Sequence, residues 1–102
     1  MAITSVEHEK DAAGLARSVI EAKLAACVQI LPIRSVFIWN GEMNDTAEYL
    51  LLMKTPNACY EDLEKHIKDR HEYEIPEIVK VRIEEGYEPY LRWIQSATHL
   101  RS

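Results

Sequence analysis

Cys27-Val28-Gln29-Ile30-Leu31-Pro32-Ile33-Arg34-Ser35-Val36-Phe37-Ile38-Trp39 leads into Asn40-Gly41, and Glu48-Tyr49-Leu50-Leu51-Leu52-Met53-Lys54-Thr55 follows soon after. These residues decide the fold. The first run reads as one long strand over 27–39. Pro32 and Arg34-Ser35 interrupt it, so a bulge or bend is expected there. Asn-Gly is a strong hairpin signal, and the turn is expected over 40–45. The chain then returns as a strand from Glu48 to Thr55. Residues 49–53 are apolar at every position. Such a run is buried on both faces, or gives one face to another subunit.

Upstream, Ala2 to Val6 is a short strand candidate. From about Glu9 to Ala25, the positions Ala12, Leu15, Ala16, Val19, Ile20 and Leu24 have the spacing of one helix face. Arg17, Glu21 and Lys23 take its polar side. Downstream, Thr55-Pro56 suits a helix start, since Thr can cap and Pro is favoured at the first helical position. Tyr60, Leu63 and Ile67 form the stripe of that helix, which is expected to run to about Arg70. Glu77 to Ile83 alternates as a strand, with Ile78 or Val79, Val81 and Ile83 as inward candidates. Gly86 ends it. Glu88-Pro89 opens a last helix, with Tyr90, Trp93, Ile94 and Ala97 at helical spacing. Residues 98–102 read as a frayed tail.

The order is β-α-β-β-α-β-α, in a single domain over residues 1–102. The first six elements are the split βαβ arrangement of a ferredoxin-like α+β fold with an antiparallel sheet. The seventh is an extra C-terminal helix. Such a sheet carries its helices on one face. A chain of 102 residues has little left to cover the other, so self-association is expected on physical grounds.

Composition argues against several functions. Twelve Lys and Arg are scattered among seventeen Asp and Glu, for a net charge of −5. No basic stripe exists, so neither nucleic acid nor a membrane surface is an expected partner. Cys27 and Cys59 form no C-x-x-C pair. Cys27 in its apolar run reads as a small buried hydrophobe rather than a nucleophile. No stretch has the length and apolarity of a membrane span, and the N-terminus lacks a leader pattern. The cytoplasm is the expected compartment. Gly-rich phosphate loops, H-E-x-x-H and G-x-S-x-G are missing, so binding rather than catalysis is expected.

Several segments resemble, in order, motifs of the CutA family of divalent-cation tolerance proteins. Lys23-Leu24-Ala25-Ala26-Cys27-Val28-Gln29-Ile30-Leu31-Pro32 is similar to L-A-A-C-V-N-I-L-P. Ser35-Val36-Phe37-Ile38-Trp39-Asn40-Gly41 is similar to S-x-Y-x-W-x-G, and the 48–55 run to E-x-x-L-x-x-K-T. His71-Glu72-Tyr73-Glu74-Ile75-Pro76-Glu77-Ile78 is similar to H-P-Y-x-x-P-E-I. Gly86 with Tyr90-Leu91-Arg92-Trp93-Ile94 is similar to G-x-x-x-Y-L-x-W-I. The resemblance implies a ferredoxin-like homotrimer around a threefold axis. It implies binding of a divalent metal, most often copper, and a link to metal tolerance, with no assigned reaction. The architecture also resembles PII-type signalling trimers. Glu72 stands where the family has a proline. Arg70 replaces a second histidine, and Thr4 a cysteine, of some relatives.

His71 is the leading metal candidate, because imidazole is a common Cu(II) and Zn(II) ligand near neutral pH. Glu72, Glu74 and Glu77 are the neighbouring oxygen donors. One histidine with carboxylates makes an open, modest site. The alternative is a loop histidine that caps the helix or bonds locally. Trp39, Tyr73, Tyr90 and Trp93 are candidates to line a pocket at a subunit boundary. Lys54 and Arg34 would hold an anionic ligand there, or else pair with Glu48 or Glu77. His66, four residues after Asp62 and four before Arg70, reads as a surface residue. Two functions result: a copper-binding trimer, or a signalling trimer that takes a small ligand or partner between subunits.

Overall fold

The computed structural model describes residues 1–98. Its strands are β1 (Ala2–Val6), β2 (Cys27–Trp39), β3 (Glu42–Lys54) and β4 (Ile78–Lys80). Its helices are α1 (Glu9–Glu21), α2 (Tyr60–Arg70) and α3 (Glu88–Ser96), with a 3-10 turn at Asn57–Cys59. The sheet order is β2-β3-β1-β4, and every neighbouring pair is antiparallel. This is the ferredoxin-like arrangement that the element order predicts. Of the expected frayed tail, all but Thr98 lies outside the described residues. No helix among those described is long and apolar enough to cross a membrane.

The hairpin is tighter than expected. Asn40 and Gly41 have φ of 52° and 78°, which makes a two-residue turn with both centres left-handed. The return strand therefore starts at Glu42, not Glu48. The ladder runs unbroken from Cys27↔Lys54 to Trp39↔Glu42, through Pro32↔Tyr49 and Ser35↔Thr46. The bulge expected at Pro32 and Arg34-Ser35 does not form. β2 is an edge strand, where a proline nitrogen can face away from the ladder. Arg34 bridges instead to Asp45 across the pair, at 2.7 and 2.5 Å.

Three other boundaries differ. α1 stops at Glu21 because Lys23 turns left-handed, at φ 58°. Lys23 N–H then donates to Ile20 O and Leu24 N–H to Val19 O, the Schellman pattern, here without its usual glycine. Thr55 does not cap the next helix. Its hydroxyl donates to Leu24 O at 2.7 Å, and Pro56 stays extended before the 3-10 turn. β4 is short and pairs with β1 from Ile78 opposite Thr4 to Lys80 opposite Ala2, with one further backbone pair between Val81 and Met1. Val81 and Ile83, expected inside, are exposed.

The two faces of the sheet differ. Ala2, Thr4, Val6, Leu51 and Met53 point to α1 and α2 and are buried with Ala12, Leu15, Val19, Leu63 and Ile67. His66, expected at the surface, is half-buried and joins the two helices. Its Nε2 lies 2.9 Å from Ser18 Oγ, which itself donates to Leu15 O, so the ring N–H donates to the serine. Burial, then Arg70, lowers the His66 pKa against an opposing Asp69. On the other face Leu50 and Leu52 are half-buried, while Leu31, Phe37, Trp39 and Val79 are exposed. So the 49–53 run fills the core with alternate residues only.

Thr4 Oγ1 is fully buried and has no hydrogen-bond partner among the described residues. A buried, unpaired hydroxyl costs free energy that an isosteric methyl does not. Thr4→Val should raise the urea midpoint by the equivalent of about 1 kcal/mol. A lower midpoint would mean that the hydroxyl has a partner in the native protein.

Candidate functional site

The segment that follows α2 carries the candidate chemistry. His71 leaves the helix in extended conformation, at φ −83° and ψ 139°. Its Nε2 is 2.7 Å from Ser5 O on β1. Its Nδ1 accepts the Tyr73 N–H at 3.1 Å. A backbone amide can only donate, so Nδ1 bears the lone pair and Nε2 bears the proton. Both ring nitrogens are thus engaged, and the His71 ring packs on Tyr73 with centroids 4.8 Å apart.

Tyr73 reaches further across the open face. Its O–H donates to Glu48 Oε2 at 2.5 Å. Glu48 sits mid-strand on β3 and is only 5% exposed. Burial first, then Glu48, Glu7 and Glu72, hold the Tyr73 phenol well above the ordinary tyrosine pKa. Ser5 Oγ donates a long bond, 3.4 Å, to Glu77. Residues 71–77 are therefore tied to β1 and β3 at three points.

The other candidates divide. Trp39, Tyr73 and Glu77 line one hollow with Glu48, Phe37 and Ile75. Lys54 is elsewhere, with Nζ 2.6 Å from Gln29 Oε1, and Arg34 is paired with Asp45. Neither cation reaches Glu48 or Glu77. Tyr90 and Trp93 stack on each other along α3, centroids 5.7 Å apart, away from that hollow. Glu74 borders an adjoining hollow with Glu7, whereas Glu72 faces a third one beside Lys10, Asp11 and Arg70. Among the described residues no three His, Cys, Asp or Glu side chains are placed to hold a metal ion together. Ser5 is the site residue that sequence reasoning passed over, and Glu48 entered it only as a possible partner for Lys54 or Arg34. The one available signal was a carboxylate at the head of an otherwise apolar strand.

Tyr73→Phe keeps the ring and leaves Glu48 buried without its donor. It should lower stability by about 1–3 kcal/mol in urea denaturation near neutral pH. The native state keeps the Tyr73 proton after an unfolded tyrosine would release it, so this contribution is lost as pH rises above the ordinary tyrosine value. Tyr60, pushed up to about 12, adds the same sign. The alkaline loss should shrink in Tyr73→Phe; a variant as stable and as alkali-sensitive as the parent would refute the role of this bond.

The sequence model of the CutA1 divalent ion tolerance protein family matches residues 1–97. The divalent-cation tolerance protein CutA of Thermus thermophilus is 38% identical over 97 residues, 94% of each chain. The chloroplastic protein CutA of Arabidopsis thaliana is 41% identical over 82% of this chain and 47% of its own. This chain spans about half the length of its plant and mammalian relatives. The solved structure of the T. thermophilus protein superposes with a TM-score of 0.92 at 37% identity, covering 96% of both chains. A PII-like protein CutA from Nostoc sp. PCC 7120 superposes with 0.92 at 30% identity, over 98% of this chain and 97% of that one. The match extends over nearly the whole chain, and the chain belongs to the CutA1 divalent ion tolerance family.

Proposed function

We propose that the protein works as a homotrimer in the handling of divalent cations, Cu(II) among them, by binding and not by catalysis. One observation carries the assembly: Leu31, Phe37, Trp39 and Val79 keep 40–42% of their surface exposed on the uncovered face of the sheet. Apolar surface gathered this way marks an interaction face, and a second copy of the chain is the cover always present. The threefold arrangement follows the family resemblance. The cation role follows the family's description and the T. thermophilus relative's name.

His71, flanked by Glu72 and Glu74, is the proposed ligand. As folded, its ring is not ready for an ion. Ligation at Nδ1 needs the Tyr73 amide to let go, so uptake is weak and coupled to residues 71–77. The proposed compartment is the cytoplasm, where the thiols of Cys27 and Cys59, which form no disulfide with each other, stay reduced. A second reading, a PII-like signalling trimer, is favoured by the Nostoc likeness and by the hollow between Trp39 and Tyr73.

Light scattering on the purified protein should return three times the chain mass; a monomer would remove the assembly. Titration with Cu(II) should show weak saturable binding that His71→Ala reduces about tenfold or more. Unchanged binding would take His71 out of the site, and no binding would remove the cation role.

A further inference from the structure

We infer that the hollow beside Tyr73 is a site for an organic cation, an alkylammonium or guanidinium group. It measures about 400 Å³ and lies between the hairpin and residues 71–77. The Glu48 carboxylate lines it. Tyr73 O–H occupies Glu48 Oε2, and no hydrogen bond reaches Oε1 from the described residues. That oxygen is not sealed from solvent either, so it opens into the hollow. Phe37, Trp39 and Tyr73 supply aromatic walls, and Glu77 adds a second carboxylate. The adjoining hollow, about 350 Å³, shares those three rings and contributes Glu7 and Glu74. No lysine or arginine lines either.

The charge pattern selects the ligand. A desolvated carboxylate whose bonded partner is a neutral phenol lacks a counter-charge, and burying such a group unpaired is costly. An anion is repelled. A divalent metal wants several close oxygen, nitrogen or sulfur donors, and no suitable trio exists among the described residues. Aromatic faces attract an ammonium or guanidinium, which also hydrogen-bonds a carboxylate while its carbon skeleton covers the rings. The hollow opens on the face that a second copy would approach, so the guest sits near a subunit boundary. This site needs neither His71 nor a metal, and it reverses the ligand sign that Lys54 and Arg34 suggested.

The test is calorimetric titration of the intact protein with 1,4-diaminobutane at matched ionic strength. 1,4-Butanediol is the neutral control of the same length. Saturable binding of the diamine and none of the diol is the expected result. Glu48→Gln and Trp39→Ala should each weaken it at least about tenfold. Glu61→Gln, which removes one exposed charge from α2, should leave it unchanged. Because Glu48 is buried, the exposed Glu77→Gln is a second probe that does not depend on that variant folding, and it too should weaken binding. Absence of saturable binding overturns the site. So does equal weakening by Glu61→Gln, or a crystal structure of the oligomer with a lysine or arginine of a second copy filling the hollow. Cu(II) uptake is measured separately, so failure here leaves the cation-handling proposal standing.

Discussion

A four-stranded sheet has two faces, and in this chain α1 and α2 both pack on the same one. Most other features answer to that asymmetry. On the helix side, alternate residues of β1 and β3 meet the helices and vanish from solvent. On the other side residues 71–77 cross part of the surface, held by Ser5 and Glu48. A polar loop laid on a sheet must satisfy its own groups, which accounts for the dense bonding around His71 and Tyr73. Beyond the loop's reach, aromatic and aliphatic side chains stay exposed.

Much of this was legible in the sequence. β1 and β2 begin and end where their residues predict, because runs rich in β-formers are stopped by Glu7 and by Asn40-Gly41. The start of β3 was hidden, since Asn44, Asp45, Thr46 and Ala47 look like turn material and only the pairing with β2 holds them extended. The end of α1 was hidden because Lys23 adopts a conformation that glycine usually signals. The length of β4 depends on its partner strand, which local pattern cannot report.

The site was half legible. The 71–77 segment stands out as a cluster of ring, carboxylate and imidazole. Its partners, Ser5 and Glu48, are distant in sequence and meet it only through the fold. Strand alternation decides the rest. Arg34 pairs opposite Ala47 on the helix side, so it does not share a face with Trp39. Lys54 shares the face of Glu48 but lies six residues further along, about 20 Å at the rise of a strand. Two cations that composition makes available are thus kept from the carboxylates by geometry, and His71 acts as a strut between β1 and the loop.

The central position of β1 also bears on the order in which the chain folds. β2 and β3 join through a two-residue turn, so their pairing closes almost no loop. The pairing of Ala2 with Lys80 brings together residues near opposite ends of the described chain. Loop-closure entropy rises with the logarithm of separation, by about 0.6 kcal/mol per doubling. Of the sheet's pairings, β1 with β4 therefore closes the longest loop, and the hairpin and helices shorten the path it must span. The hairpin rests on local contacts alone, whereas the β1–β4 edge joins residues far apart in sequence and gains most from the rest of the sheet being formed.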